Sequence, residues 1–520
     1  MAGNERHSSN GLPMMIVVGL FLAFALTEAA FAEKRPSPKV TSAKPAKTLP
    51  AKPSKSVPAK SSKAAPAKPA AQTVKKPTAA PPAKPAPSSP NVPAKPAAAA
   101  VESPKPSAAA KSVIAGQVQP GDRITKDNVE KIEGLVPPGV IWTVRHGMDM
   151  NIVPYERIYA PRAYVEATEQ YSDQAWLDRN NVLRDWVAGM PFPVVDPDDP
   201  QVAAKIMNNY ERRFQWTDDV NLASVDGETG AISIDGDGRF HYRIERHFVA
   251  DWSRVLNFQG RIHHEPKPTI SPNPDKVWRK FGFYPLSQPF DIKGVGSINY
   301  RYMDRERFDD TWFYIPAVRR VRRISAAQRS DSLFGQDIDV DSFGGYAGQI
   351  PWFDWKFLGE KPMLATFHGK NLPGKPCEGN DGVTFCEDWE MRPKMFVIEG
   401  RPKLDSYAYS KRLIFVDKET YTIPYTDLFD QNGELWKTLH QNIRYSKQPN
   451  PRVGYSYDEP QMFPYGITII DIQLMHATRF SLPGVDFPDE PGWYVNIGPD
   501  AEQAVEEDWY GIAALIRSGR

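Results

Sequence analysis

Apolar positions recur along this chain at two spacings, and the change from one to the other marks out its elements. Thr125 stands as an N-cap before Val129, Ile132 and Leu135, which share one helical face, and the run stops at Pro137-Pro138. Asp199-Pro200 opens a second helix, with Asp as cap and Pro at the first helical position. Within it Val202, Ile206, Tyr210 and Phe214 recur at every fourth residue, with Ala203 and Met207 beside them, as one apolar stripe. A third helix is predicted from about Ala501 to Ile516. Between the helices the pattern alternates. The turn Asp235-Gly236-Asp237-Gly238 leads into a strand over Arg239–Val249. Further on, strands over Tyr407–Val416, Tyr421–Phe429 and Glu434–Arg444 are joined by turns at 417–420 and 430–433, and Ile467–Arg479 reads as another strand. Consecutive hairpins without crossover helices predict an antiparallel sheet with helices added at one side.

The first 111 residues do not belong to that pattern. Arg6 precedes an apolar run from Met14 to Leu26, followed by the small-x-small site Ala30-Phe31-Ala32. Thirteen apolar residues are short for a bilayer, so residues 1–32 read as a cleavable signal peptide; Glu5 beside Arg6 weakens the n-region and leaves an uncleaved anchor as the alternative. Residues 33–111 are built from Pro, Ala, Lys, Ser, Thr and Val, a composition that cannot bury a core and favours extended polyproline II. At about 3.1 Å per residue such a tether reaches roughly 240 Å fully extended. Residues 112–520 remain as one β-rich domain, since no second linker divides them.

Charge sharpens this division. The net charge of +1 conceals +14 on residues 33–111 and −12 on residues 112–520. An acidic domain argues against nucleic acid as partner. The basic tether suits contact with anionic headgroups or peptidoglycan, or serves as a solvated spacer. A periplasmic location follows from the signal segment. In that oxidising compartment the two cysteines, Cys377 and Cys386, are expected to form a disulfide that stabilises by about 2.5–3 kcal/mol.

Motifs that carry chemistry are few. The chain lacks H-E-x-x-H, G-x-S-x-G, C-x-x-C and the phosphate-binding G-x-x-x-x-G-K-[ST] (Gly369–Lys375 has the glycine spacing, but Pro376 follows), so neither an enzyme nor a cofactor is expected. His263 and His264, read as neighbours on a strand, face opposite ways and do not share a metal. Asp337, Asp339 and Asp341 have the spacing that opens a calcium loop, but Ser342 stands at its sixth position and Gly348 at its twelfth. Their alternation also fits an exposed strand edge blunted by charge.

Residues 308–358 are the most informative. Trp312-Phe313-Tyr314-Ile315-Pro316 leads to Val318-Arg319-Arg320-Val321-Arg322-Arg323-Ile324, then Ser332-Leu333-Phe334-Gly335-Gln336-Asp337 and Trp352-Phe353-Asp354-Trp355-Lys356-Phe357. This resembles the outer-membrane lipoprotein-sorting superfamily of LolA/LolB-like folds and, more closely, domain-of-unknown-function family 1329. Gly121–Thr125, Gly189–Pro193, Asp196–Pro200, Val397–Gly400 and Tyr409–Arg412 extend the likeness over nearly all of 115–480; the long tether departs from it. The resemblance implies an α+β fold, a large antiparallel unclosed β-barrel with helices packed on its concave side. It also implies a periplasmic carrier of lipids or other hydrophobic molecules serving an envelope transport system, with a transporter of the resistance–nodulation–division type as partner. A tethered scaffold that binds another protein is the alternative. Trp312, Tyr314, Phe353, Trp355 and Phe357, with Ile206, Met207 and Tyr210 of the helix, are candidates to line the ligand, against ordinary core packing. Arg319 and Arg323 on one strand face, with Arg320 and Arg322 on the other, are candidates to hold anionic headgroups or an acidic partner, against a solvated strand. The first test concerns export: protein isolated from the envelope should begin at Glu33 by intact mass, and retention of residues 1–32 would establish the anchor instead.

Overall fold

The computed structural model describes residues 118–324 and 328–519; residues 1–32 and 33–111, the expected signal peptide and tether, lie outside the described residues. Four α-helices are present among them: α1 (Pro138–Arg145), α2 (Arg162–Tyr171), α3 (Val202–Glu211) and α4 (Ile512–Ser518). The strands are β1 (Arg123–Ile124), β2 (Met150–Val153), β3 (Trp176–Leu177), β4 (Leu183–Arg184), β5 (Asp219–Ile234), β6 (Phe240–Asn257), β7 (Val277–Phe283), β8 (Leu286–Gln288), β9 (Gly296–Tyr302) and β10 (Asp310–Ile315). They continue with β11 (Arg320–Ile324), β12 (Phe353–Ala365), β13 (Asp388–Pro402), β14 (Lys411–Asp417), β15 (Tyr425–Phe429), β16 (Leu435–Ser446), β17 (Gln461–Asp471), β18 (His476–Ser481) and β19 (Trp493–Val495).

All but β3 and β4 join one 17-stranded sheet. Its spine is an antiparallel series in two blocks. The strands β12 to β18 follow one another in chain order, and β18 then pairs with β5. From β5 the series runs through β6, β7, β9 and β10 to β11. The edge strands β11 and β12 each have one paired neighbour among the described residues, and they do not pair with each other, so the sheet stays unclosed. This is the large, mostly antiparallel, unclosed sheet with few helices that the pattern of hairpins implies.

Residues 328–352, which join these two edges, lie across one face of the sheet, here called the inner face. Ile338 packs among Leu439, Phe463, Ile469 and Phe480 of β16–β18, and Lys437 Nζ donates to the Asp337 carbonyl at 2.9 Å. The helix α3 covers the same face over β12–β15. The outer face carries α1 and α4. On β15, Thr426 bonds the Gly345 carbonyl of the crossing segment, while its neighbour Asp427 accepts the Gly139 N–H of α1 at 3.0 Å. On β10, Phe313 packs at a tilt against Phe334 of the crossing segment, while its neighbour Tyr314 packs with Leu515 of α4.

Several elements differ from the sequence pattern for definable reasons. Thr125 does cap a helical segment, but a 3-10 one (Lys126–Ile132) kinked at Asn128. The pair Pro137-Pro138, expected to stop a helix, starts α1, because a proline at the first helical position gives up an N–H that has no partner there anyway. The predicted final helix is a 3-10 turn over Glu507–Tyr510 followed by the shorter α4. The single strand over Ile467–Arg479 is a hairpin of β17 and β18, turned at Met475 with φ +51°. The long β5–β6 hairpin does turn at Asp235–Gly238, where Gly238 takes φ +75° and the Asp235 carboxylate accepts from the N–H groups of Asp237 and Arg239.

The docking of α1 on the sheet yields a test. Asp427 lies fully buried between the helix and β15, its carboxylate also accepting from Thr438 Oγ1 at 2.8 Å. Burial pushes its pKa up to about 6, with the bonds from Gly139 and Thr438 acting against the rise. The native state therefore binds a proton that the unfolded chain has released, and stability falls as pH rises from about 4 to about 6. The loss is on the order of 2–3 kcal/mol. Urea unfolding across that range should show the fall in the parent and its flattening in Asp427→Asn; equal slopes would remove Asp427 as its source.

Candidate functional site

The expected ligand-lining residues divide into two groups. Ile206, Met207 and Tyr210 of α3 pack with Phe353 at the start of β12, and Trp355 and Phe357 lie at the margin of the same cluster. Its floor is Phe396, Ile398, Ile414, Val416 and Leu428 of β13–β15. Tyr346 meets Phe353 and Trp355 edge to face, at centroid distances of 5.3 and 5.1 Å. Gly400 lies under the Trp355 ring, where a Cβ would sit 2.5 Å from it. Trp312 and Tyr314 are elsewhere, packed on the outer face with Tyr284, Ile298 and α4.

The helix α3 is not a free lid. Eight of its ten residues are buried, because a further layer covers its other side. Ala204 packs with Leu177 and Phe192, and Asn209 exchanges two hydrogen bonds with the Phe192 backbone, at 3.0 and 2.7 Å. The apolar stripe at every fourth residue reports the face toward the sheet. The buried Asn208 and Asn209 on the other side could not be recognised as buried from polarity alone.

Polar anchors fasten the crossing segment to the sheet, and they overturn the reading of Asp337, Asp339 and Asp341 as an exposed edge. All three are buried. Asp337 Oδ2 lies 2.8 Å from His476 Nδ1 and accepts from Thr478 Oγ1 at 2.7 Å. Asp339 accepts from Tyr409 OH at 2.8 Å and Ser342 Oγ at 2.6 Å, and pairs with Arg412 at 3.4 Å. Asp341 pairs with Arg329 at 2.5 Å and accepts from Tyr407 OH at 2.9 Å. Carboxylates so committed to cations and hydroxyls do not form a calcium loop. The bond to Asp337 raises the His476 pKa, with burial acting against it.

The four arginines of the edge hairpin are exposed. Arg319 is not part of the strand: it takes φ +51° at the end of the turn. Strand alternation therefore begins at Arg320, placing Arg320 and Arg322 together and Arg323 opposite, where it pairs with Asp310. Cys377 and Cys386 are joined by a disulfide. His263 and His264 lie in a loop, where the N–H groups of Ile262, His263 and His264 all donate to the Asp218 carboxylate. Donor atoms of Asp226, His247 and Asp486 lie within 4.8 Å of one another, but His247 Nε2 is already 2.5 Å from Asp226 Oδ1.

The two best-formed recesses among the described residues each leave about 10 Å³, room for one water. One lies beside Trp186, Trp216 and Trp278, the other beside Asp226, Phe385 and Arg479. Neither touches the eight expected ligand-lining residues. On the apolar inner face, Ile206, Met207, Tyr346 and Ile338 of the protein itself pack against the sheet.

A model of the family described as protein of unknown function (DUF1329) matches residues 123–490. The chain belongs to the DUF1329 family. A relative, uncharacterized protein PA3922 of Pseudomonas aeruginosa, is 21% identical over 350 residues, covering 64% of this chain and 71% of its own length. Among solved structures, a domain described as outer membrane lipoprotein-sorting from Vibrio parahaemolyticus is similar over 60% of this chain and 97% of its own, at 16% identity and a TM-score of 0.38. A DUF1329 protein of Desulfovibrio piger is similar over 57% and 92%, at 16% identity and a TM-score of 0.35. Another is the LolA superfamily protein NE2245 of Nitrosomonas europaea, over 54% and 90%, at 16% identity and a TM-score of 0.29.

The DUF1329 residues Asp339 and Arg412 provide the next test, both being fully buried. Asp339→Ala leaves the guanidinium without its carboxylate and should cost about 3–5 kcal/mol. Adding Arg412→Met removes the stranded charge and should recover part of that loss in urea unfolding. A double variant no more stable than Asp339→Ala alone would show that the pair is not the source of the cost.

Proposed function

We propose that this protein is a carrier that holds a lipid or similar hydrophobic molecule on the inner face of its unclosed sheet, and works in the periplasm. The observation that carries the reading is the makeup of that face. A broad apolar floor runs over β13–β18: over β13–β15 it is covered by α3 with Tyr346 and Ile350, and over β16–β18 Ile338 of the crossing segment packs into a cluster shared with β5, β6 and β8. A cover of that kind can lift without breaking the strand ladder. In this reading residues 1–32 export the chain, residues 33–111 tether it, and residues 112–520 bind the cargo. A lipid delivered to or from an envelope transporter, of the resistance–nodulation–division class the family resemblance suggests, would pass across the open edges. The tether would reach toward peptidoglycan or a membrane surface.

Neither of the two recesses described above is of ligand size, and α3 and residues 328–352 lie on the floor, so uptake there requires the cargo to displace Ile206, Met207 and Ile338. The same covered floor favours a second reading, a tethered scaffold whose exposed surfaces bind another protein and whose interior holds nothing.

A fluorescent fatty-acid probe separates the two, together with native mass spectrometry of protein taken from the envelope. A carrier should retain lipid or bind the probe saturably. Met207→Ala should weaken retention while keeping the β-sheet circular dichroism, at a stability cost of about 2–5 kcal/mol. Ile206→Asp should abolish binding, because an unpaired charge cannot stay on that face. Parent protein that carries no lipid and binds no probe would leave the scaffold reading; probe binding unchanged in both variants would move the cargo away from α3.

A further inference from the structure

Glu211, the last residue of α3, sits in an unusual concentration of arginine. Its carboxylate pairs with Arg212 at 2.9 Å, Arg301 at 3.1 Å, Arg279 at 3.5 Å, and with Arg305. Arg301 pairs in turn with Asp309, as does Arg329, which also holds Asp341. Five guanidiniums thus share three carboxylates, an excess of two positive charges, and apart from the partly covered Arg279 all of these side chains are buried. Aromatic faces take up part of the field. Arg279, Arg305 and Arg212 lie 3.8, 4.1 and 5.0 Å from the Trp278 ring, and Arg212 lies 4.8 Å from Trp186.

Beside this cluster lies the recess lined by Trp186, Glu211, Arg212, Trp216, Trp278 and Arg279. Four of those side chains carry a buried N–H without an acceptor: Arg212 Nε, Trp216 Nε1, Trp278 Nε1 and Arg279 Nε. Arg305 Nη1, in the same cluster, is a fifth. Arg212 and Trp278 are 6% and 4% exposed, so solvent does not satisfy them. Buried polar groups are seldom left unpaired, and the four unpaired atoms that line the recess are all donors. A water accepts two such bonds and must place two hydrogens of its own. A monoatomic anion has no hydrogens to place, can accept from each donor that lines the recess, and offsets the surplus charge. The free volume of about 10 Å³ suits one such particle.

We propose that this recess is a binding site for a single small anion of the size of chloride, held by Arg212, Arg279, Trp216 and Trp278. The site lies where α3 ends and β7 passes, so its occupancy stabilises the end of the helix that covers the inner face. Unlike the carrier reading, it needs no hydrophobic cargo and stands or falls separately.

Thermal unfolding in sodium chloride against sodium gluconate at matched ionic strength tests it on the whole protein. Melting temperature should rise saturably with chloride in the parent. Arg279→Gln should weaken the apparent affinity at least about tenfold, on the scale of one charged hydrogen bond. Arg320→Gln, which removes an exposed edge charge, should leave the response intact. Crystals grown in sodium bromide should show an anomalous peak among Trp216, Trp278 and Arg279, and this readout does not depend on any variant folding. A melting temperature that follows ionic strength regardless of the anion, or a recess holding water without bromide, overturns the proposal.

Discussion

The two edges of the unclosed sheet are consecutive strands, β11 and β12, and they stand at opposite ends of the series. The chain that joins them must therefore travel the width of the sheet, and here residues 328–352 do so across the inner face. Most of the interior follows from that constraint. A connection laid over an apolar floor brings its own peptide groups and cannot leave them unpaired. The alternating Asp337, Asp339 and Asp341 supply the attachments. Each takes a different partner on the sheet: His476 and Thr478 on β18, Tyr409 with Arg412 at the start of β14, and Tyr407 just before it. Between the attachments Ile338 and Tyr346 fill the floor.

These attachments are poor sources of stability. Desolvating two charges costs several kcal/mol per ion, and their attraction inside the protein roughly returns it. Their effect is to fix where the segment lies, since sliding it by one residue would bury three carboxylates against apolar side chains. Glu211 makes the same point at the end of α3. A carboxylate at a helix C-terminus faces the negative end of the macrodipole, and burial alone would raise its pKa. Arg305, Arg212, Arg301 and Arg279 reverse that and hold it well below the usual carboxylate range. The arrangement ties α3 to β7, β9 and the loop after β9 at one point, and so couples the cover of one block of the sheet to strands of the other.

Local signals in the sequence carried the parts of the fold that local physics decides. The stripe of Val202, Ile206 and Tyr210, the Asp235–Gly238 turn and each of the two turns that join β14, β15 and β16 are written within about a dozen residues. What could not be read depends on partners far along the chain. The alternation of Asp337, Asp339 and Asp341 is the same whether a strand edge faces water or a segment lies on a sheet; the difference is made by Tyr407, Tyr409, Arg412 and His476. Arg320 and Arg322 share one strand face with Arg323 opposite, as their spacing implies, but Arg319 drops out of the strand because it takes a left-handed conformation, which no neighbouring residue signals. Trp312 and Tyr314 looked equivalent to Phe353 and Trp355, yet they lie near the opposite edge and face outward. The Arg-rich surroundings of Glu211 draw on residues spread from Arg212 to Arg329, so no motif announces them.

The covered inner face sets the energetic terms on which a carrier could operate. Burying an acyl chain of about 14–16 carbons is worth on the order of 10 kcal/mol. Lifting Ile206, Met207 and Ile338 off the floor exposes side chains worth about 1.5–3 kcal/mol each, and releasing the segment also opens its carboxylate attachments. The two sums are of similar size. Exchange of cover for cargo would then be nearly balanced, a condition under which a partner that engages either edge can decide the direction of transfer. An empty cavity of the same area would bind its lipid more tightly and release it less readily. A floor that covers itself returns part of the binding energy when cargo leaves, and for a protein that must give its cargo up, that return is as useful as the affinity.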